Sequence, residues 1–115
     1  DMAVPDKFFI NMMTFYNKTL LGKGLPYVIF GHLGDNHLHI NLLPDSSQKK
    51  LAESLYDELA RKIISWEGTV SAEHGIGKKK KKYFYAMVGE ESIEGLKKIK
   101  NVLDPQTRLG RGNVL

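Results

Sequence analysis

The chain has 115 residues, which is enough for one domain with its own hydrophobic core. No apolar run approaches the roughly 20 residues of a membrane span, and the lack of cysteine excludes disulfides and thiolate metal sites. The net charge of +4 comes from one segment of the chain. Without the five lysines from Lys78 to Lys82, the sequence has 12 basic and 13 acidic side chains. A single basic patch does not predict a nucleic-acid partner.

The first half of the chain predicts a strand, a helix and a second strand. Residues 2–4 are apolar and are followed by Pro5, which is typical of a short strand. Apolar and aromatic side chains then recur with helical spacing over residues 6–21, and Gly22 follows where a helix would end. The continuous apolar run at residues 25–30 is typical of a buried strand.

The second half predicts two more strands and two more helices. A strand over residues 37–43 is followed by Asp45, a residue that favours the start of a helix, and this helix runs to about Trp66. A short strand is expected at residues 69–71, and a third helix over about residues 92–103, before Asp104-Pro105. The side chains of the third helix that we expect to face inward are Ile93, Leu96, Ile99 and Leu103.

This order of elements predicts an α+β fold. The order β-α-β-β-α-β is that of the split βαβ arrangement in ferredoxin-like domains. The third helix and a glycine-rich tail are added to it at the C-terminal end. Because no internal repeat or linker divides the chain, we expect a single domain over residues 1–115.

The four histidines fall in two short segments. They are His32, His37 and His39 in the first segment and His74, which directly follows Glu73, in the second. Because side chains alternate along a strand, we expect His37, His39 and Asn41 on one face of the sheet. One edge of the sheet is therefore predicted to be rich in polar nitrogen atoms.

A divalent metal site is one interpretation of these segments. Imidazole and carboxylate are the usual ligands of catalytic zinc, which keeps three protein ligands and an open position. The candidates are His32, His39 and Glu73, which meet if the second and fourth strands end on the same side of the sheet. The alternative is that they are hydrogen-bonded turn or surface residues without a metal. Glycines beside both segments favour the metal because they permit tight turns and close approach.

The two histidine segments also match two motifs of a known family. They resemble the C-terminal domain of the FAD-linked oxidases, which include D-lactate dehydrogenase, the glycolate oxidase flavin subunit and D-2-hydroxyglutarate dehydrogenase. The family pattern His-x-Gly-Asp-Gly-Asn-x-His-x-Asn is matched from His32 to Asp35 and again from Leu38 to Asn41. The pattern Gly-x-(Ile/Val)-Ser-x-Glu-His-Gly-Ile-Gly is matched from Gly68 onwards.

The resemblance implies the substrate- and metal-binding part of an FAD-dependent oxidoreductase that acts on a small 2-hydroxy acid such as D-lactate or glycolate. It implies that His32, His39 and Glu73 hold a divalent metal, zinc above all. It also implies that His74 takes the hydroxyl proton while a hydride leaves for the flavin, and that Asn41 hydrogen-bonds the substrate. FAD would be bound mainly by an FAD-binding domain outside this chain, which is the expected partner.

Three features stay open in the sequence. Asn36 and His37 stand where the family commonly has Gly-Asn, so His37 is either a further ligand or a substrate contact. A rival function is a non-catalytic interaction module, in which Lys78 to Lys82 bind an acidic partner and the histidines are structural.

We expect a cytoplasmic location. Peripheral attachment to a membrane and assembly into a homo-oligomer are both left open by the sequence.

Overall fold

The computed structural model describes residues 1–115 and shows mixed α and β structure, which confirms the predicted α+β class. The strands are β1 (Met2–Ala3), β2 (Tyr27–His32) and β3 (His37–Leu42). The helices are α1 (Phe9–Leu20), α2 (Lys49–Ser65) and α3 (Lys81–Leu103). A short 3-10 turn at Asp6–Phe8 precedes α1, and a second one at Leu33–Asp35 connects β2 to β3.

The internal contacts of the chain divide it into two compact units, Asp1–His74 and Gly75–Leu115. The first unit contains the sheet with α1 and α2, and the second contains α3 and the tail. No helix combines the length and the apolar character that crossing a membrane requires. The expectation of a single domain over the whole chain stays a prediction.

The sheet of the first unit has the strand order β1-β3-β2, with both neighbours antiparallel to β3. Since β1 and β2 are joined through α1 and have β3 between them, this is a split βαβ unit. The predicted fourth strand is reduced to one bridge, in which Ala3 and Thr69 exchange two backbone hydrogen bonds of 3.1 and 2.8 Å. The Thr69 hydroxyl accepts the amide hydrogen of Ser71 at 3.2 Å, and this local turn competes with a longer ladder.

The core of the first unit lies where α1 and α2 pack against each other and the sheet. Its fully buried side chains include Met12 and Tyr16 of α1, Leu38 of β3, and Leu59 and Ile63 of α2. Because Leu38 enters this core, the side chains on either side of it in β3 must point to the opposite face. The helical stripes predicted for α1 and α2 therefore supply the core, and the histidines lie on the other face of the sheet.

The third helix is longer than predicted. Helix α3 begins at Lys81 instead of near residue 92, and its backbone breaks at Gly89 (φ 77°, ψ 167°). The ammonium groups of Lys81 and Lys82 lie over the rings of Tyr85 and Tyr83, at 5.6 and 4.6 Å from their centroids, which helps to accommodate a lysine run in a helix.

Only part of the expected inward face of α3 is buried. Ile93 is buried, whereas Ile99 and Leu103 are 57% and 78% exposed, so the expectation was wrong for these two residues. Beyond the helix, the Asp104 carboxylate accepts hydrogen bonds from the backbone amides of Arg108 and Leu109, both at 2.9 Å. The predicted tail is thus tied to the end of α3.

Candidate metal centre

The register of β2 and β3 brings the histidines of the first segment onto one face. His32 lies opposite His37, and Phe30 lies opposite His39. The rings of Phe30 and His39 stack with 4.9 Å between their centroids. Gly31, between these two pairs, lies so close to β3 that an added Cβ would be 2.2 Å from the His37 carbonyl oxygen. The alternation predicted for this strand thus places His37 and His39 on the same side.

The turn between the two strands requires an unusual backbone at Asn36. This residue has φ 51° and ψ 33°, a left-handed conformation that asparagine tolerates better than most residues. Its side-chain amide also donates to the Asp6 carboxylate, which anchors the turn to the start of α1. Asn36 can therefore occupy a position where the family commonly has glycine.

Glu73 reaches the three histidines from the segment that follows Thr69. Its oxygen Oε1 lies 3.2 Å from His32 Nε2 and 3.6 Å from His37 Nδ1, and Oε2 lies 3.7 Å from His39 Nε2. One potential ligand atom from each of the four side chains can be chosen so that all lie within 4.8 Å of one another. The structure brings together His32, His39 and Glu73, as the sequence predicted, and adds His37.

These separations are close to those around a bound transition-metal ion. With ligands 2.0–2.1 Å from tetrahedral zinc, neighbouring ligand atoms are about 3.3 Å apart. The three contacts of Glu73 match this spacing within about half an ångström, and a small inward movement of the exposed His32 and Glu73 would tighten the cluster. The donor set, imidazole nitrogens with one carboxylate, is also one that zinc favours.

Burial sets the charge state of two of the imidazoles. Burial lowers the pKa of both His37 and His39, and the nearby Glu73 carboxylate acts in the opposite direction by raising it. Both are therefore neutral at neutral pH, which is the form that ligates a metal. His37 Nε2 is buried and has no hydrogen-bond partner, an arrangement that is costly in a folded chain and is found at binding sites.

His74 lies beside the cluster without entering it. Its ring stacks on that of His39 with 5.0 Å between centroids, while its side chain remains 62% exposed. Glu73 and His74 belong to a bend and not to a strand, so both side chains turn to the same face. His74 Nδ1 lies 3.0 Å from Asp1 Oδ2, and the His74 backbone amide donates to the same oxygen at 2.7 Å.

Asn41 occupies the same face as the cluster but lies further along β3. It is exposed and faces Val28 of β2, two cross-strand pairs beyond His39. Together with the exposed ring of Phe30, it forms an open border on one side of the histidines. The position suits a group that touches a substrate, although its role stays a prediction.

Two residues of this arrangement went beyond the sequence prediction. His37 was left open there, although the strand alternation already placed it with His39. Asp1 was not predicted at all, because no pattern in the sequence connects it with a histidine 73 residues away. Only the fold brings the start of β1 beside the bend that carries His74.

Comparison with known proteins identifies the wider relationship. The family model described as FAD linked oxidases, C-terminal domain, matches residues 1–114. The chain is 32% identical to the mitochondrial D-lactate dehydrogenase (cytochrome) of Kluyveromyces lactis over 106 residues, which are 92% of this chain and 18% of that protein. It is 40% identical to D-2-hydroxyglutarate dehydrogenase of Xanthomonas citri pv. viticola over 92 residues, 76% of this chain and 20% of that protein.

A third relative extends the match to nearly the whole chain. Glycolate oxidase subunit GlcD of Bacillus subtilis is 30% identical over 117 aligned residues, which cover 99% of this chain and 25% of that protein. The chain thus spans about a fifth to a quarter of the length of these relatives. Since the family model takes in all but the last residue, the chain belongs to the FAD linked oxidases, C-terminal domain family.

Proposed function

We propose that this chain is the substrate- and metal-binding part of an FAD-dependent oxidoreductase that oxidises a small 2-hydroxy acid such as D-lactate or glycolate. The observation that carries the proposal is the convergence of three imidazoles and one carboxylate within 4.8 Å, with a fourth imidazole beside them. The names of the relatives, all 2-hydroxy acid dehydrogenases or oxidases, support the substrate class.

The ligands of the metal would be His32, His39 and Glu73, with His37 close enough to be a fourth. A divalent ion such as zinc, bound there, would supply a Lewis acid for the carboxylate and hydroxyl of the substrate. His32 and Glu73 are half exposed, so the cluster is open to a small molecule on one side. The buried His37 and His39 close the opposite side and keep their rings fixed.

His74 would accept the proton of the substrate hydroxyl. The oxidation removes one proton from that oxygen and one hydride from the α-carbon, and leaves a 2-oxo acid. FAD, held mainly by an FAD-binding domain, supplies the acceptor for the hydride. An exposed imidazole beside the ligand cluster is within reach of a small molecule bound there and is a common proton acceptor in enzymes. Asn41 would donate a hydrogen bond to the bound substrate from the border of the site.

The rival interaction module keeps less support. Lys80 and Lys81 are half-buried, and burial lowers the pKa of Lys80, so the run is not a uniformly exposed patch. The clustering of the histidines also has no role in that alternative. The five lysines remain a candidate contact for an acidic partner, but not the main function of the chain.

The test uses this chain together with its FAD-binding domain and follows flavin reduction by D-lactate and glycolate. His74→Ala should slow flavin reduction by about 10²–10⁴-fold, the usual contribution of one general base, while zinc content is unchanged. Asn11→Ala, which removes an exposed polar side chain from α1, is the control and should reduce its flavin at the normal rate. Normal flavin reduction in His74→Ala would show that His74 does not take the proton.

A further inference from the structure

The Asp1 carboxylate is buried beside an exposed histidine. Its side chain is fully buried, whereas that of His74 is 62% exposed. Oxygen Oδ2 of Asp1 accepts the backbone amide hydrogen of His74 at 2.7 Å and lies 3.0 Å from His74 Nδ1. A buried carboxylate is costly unless hydrogen bonds compensate its lost hydration, and here one oxygen engages both the backbone and the ring of a single residue.

We propose that Asp1 is the positioning residue for His74: it accepts the proton on Nδ1 and so leaves Nε2 as the free acceptor nitrogen. The proposal rests on the role given above to His74 in taking the hydroxyl proton. A neutral imidazole carries its proton on either nitrogen, and the hydrogen bond to one nitrogen selects the tautomer. A carboxylate can only accept, so the nitrogen that faces Asp1 must be the protonated one.

The contacts on the two sides of His74 also fix the direction of its ring. Asp1 holds the Nδ1 edge, and the ring of His39 stacks against the face at 5.0 Å and 30°. The backbone bond from His74 to Asp1 fixes the Cα position from which the ring extends. Nε2 is then directed away from Asp1, on a ring that already lies against a member of the metal cluster.

The carboxylate would also assist the proton transfer. When the substrate proton moves to Nε2, the imidazole becomes a cation, and the nearby negative charge of Asp1 stabilises it. The proton on Nδ1 stays with His74, so Asp1 changes neither its charge nor its protonation. Asp1 itself touches no reacting atom in this scheme, which makes it a positioning residue and not a catalytic one.

A purely structural role for Asp1 predicts different results. In that case its bond to the His74 backbone would only anchor the start of β1 to the bend, and the tautomer would not depend on it. Asp1→Leu tests this, because it keeps the approximate size of the side chain but removes the oxygen that faces both the backbone amide and Nδ1 of His74. The expected result is that the chain folds but His74 no longer has one fixed tautomer.

The first test is nitrogen-15 NMR of the His74 ring in this chain at alkaline pH, with His74→Ala used to assign the signals. In the wild type, Nδ1 should have the shift of a protonated nitrogen and Nε2 that of an unprotonated one. The opposite pattern would overturn the proposal without any variant. Asp1→Leu should shift both signals towards a tautomer mixture, whereas Asp57→Leu, which removes a carboxylate from the Arg61 pair in α2, should not.

The second test measures turnover in the chain combined with its FAD-binding domain. Asp1→Leu should lower kcat about 10–100-fold with little change in KM, the usual effect of losing a partner that orients an active group. A changed tautomer with normal kcat would support the positioning of His74 but refute its role as the base. An unchanged tautomer in Asp1→Leu would refute the positioning alone and leave the proposed function intact.

Discussion

Asp104 and His37 are both buried polar side chains, and their surroundings satisfy them to different extents. The two oxygens of Asp104 accept hydrogen bonds from the Lys100 ammonium and from the amides of Arg108 and Leu109. His37 Nδ1 lies 3.6 Å from an oxygen of the half-exposed Glu73, and its Nε2 is buried without a hydrogen-bond partner.

The two clusters differ in how far charges and hydrogen bonds within the chain balance each other. Three donors converge on one acceptor at Asp104, so charge and hydrogen bonds balance and the tail is held to α3. Three imidazoles converge on one carboxylate at Glu73, and one potential ligand atom from each of the four side chains lies within 4.8 Å of the others. The Asp104 cluster is thus balanced within the chain, whereas the Glu73 cluster leaves a buried nitrogen of His37 without a hydrogen-bond partner.

The largest effect on stability should come from the strand contact that supports the histidines. In Gly31→Ala the new Cβ would lie 2.2 Å from the His37 carbonyl oxygen, so the strands must separate. We expect a loss of about 2–3 kcal/mol in the free energy of unfolding, measured by denaturant titration. Gly34→Ala is the control: its Cβ meets no atom within 4 Å, and its stability should stay within about 0.5 kcal/mol of the wild type.

A smaller loss is expected when the balanced cluster is broken. Asp104→Asn removes the charge that Lys100 faces and weakens the bonds from the tail, so the melting temperature should fall by roughly 5 °C. Asp57→Asn also breaks an ion pair four residues apart, but the Arg61 side chain in that pair is 70% exposed, so the change should be slight. Equal melting temperatures for the two variants would show that burial does not distinguish these pairs.

The same cluster predicts an acid dependence of stability. Hydrogen bonds from Lys100, Arg108 and Leu109 lower the pKa of Asp104 from 3.8 to about 2. Because the folded pKa is the lower one, the stabilisation is complete above about pH 4 and is lost as the pH falls towards 2. The difference in stability between wild type and Asp104→Asn should therefore shrink over this range. A difference that stays constant down to pH 2 would contradict the shifted pKa.

The smallest effect is expected in the lysine run. Lys78 and Lys79 are exposed, so replacing both with glutamine should leave the melting temperature within about 2 °C of the wild type. The matched change at Lys80 and Lys81 removes two half-buried side chains and the ammonium above the Tyr85 ring. It should therefore lower the melting temperature slightly more than the change at Lys78 and Lys79. A larger fall in melting temperature for the change at Lys78 and Lys79 than for the change at Lys80 and Lys81 would show that the exposed pair has a structural role.

The elements of the first unit were predictable because their patterns are local. Strand alternation placed His37 and His39 together, and the helical spacing of α1 brought Met12 and Tyr16 into the core. The fourth strand was predicted too long, since the side chain of Thr69 forms a local turn that a propensity pattern cannot reveal. The start of α3 was missed because five lysines in a row suggest a solvated loop.

The site was only partly predictable, for a related reason. Motif residues such as His32, His39 and Glu73 can be chosen from the sequence by chemical type and order. The involvement of Asp1 depends on β1 pairing with β3 and bridging to Thr69, which is a property of the assembled sheet. The orphaned nitrogen of His37 likewise follows from burial by neighbours that are remote in sequence.

Zinc titration calorimetry on the chelator-treated chain tests the central claim, that the histidine cluster holds a divalent metal. The wild type should bind one zinc ion per chain, with affinity that weakens below about pH 6 because protonated imidazole cannot ligate. His39→Ala should lose this binding, whereas His74→Ala, which alters the histidine beside the cluster, should retain it. Equal zinc uptake by the wild type and His39→Ala would contradict the account.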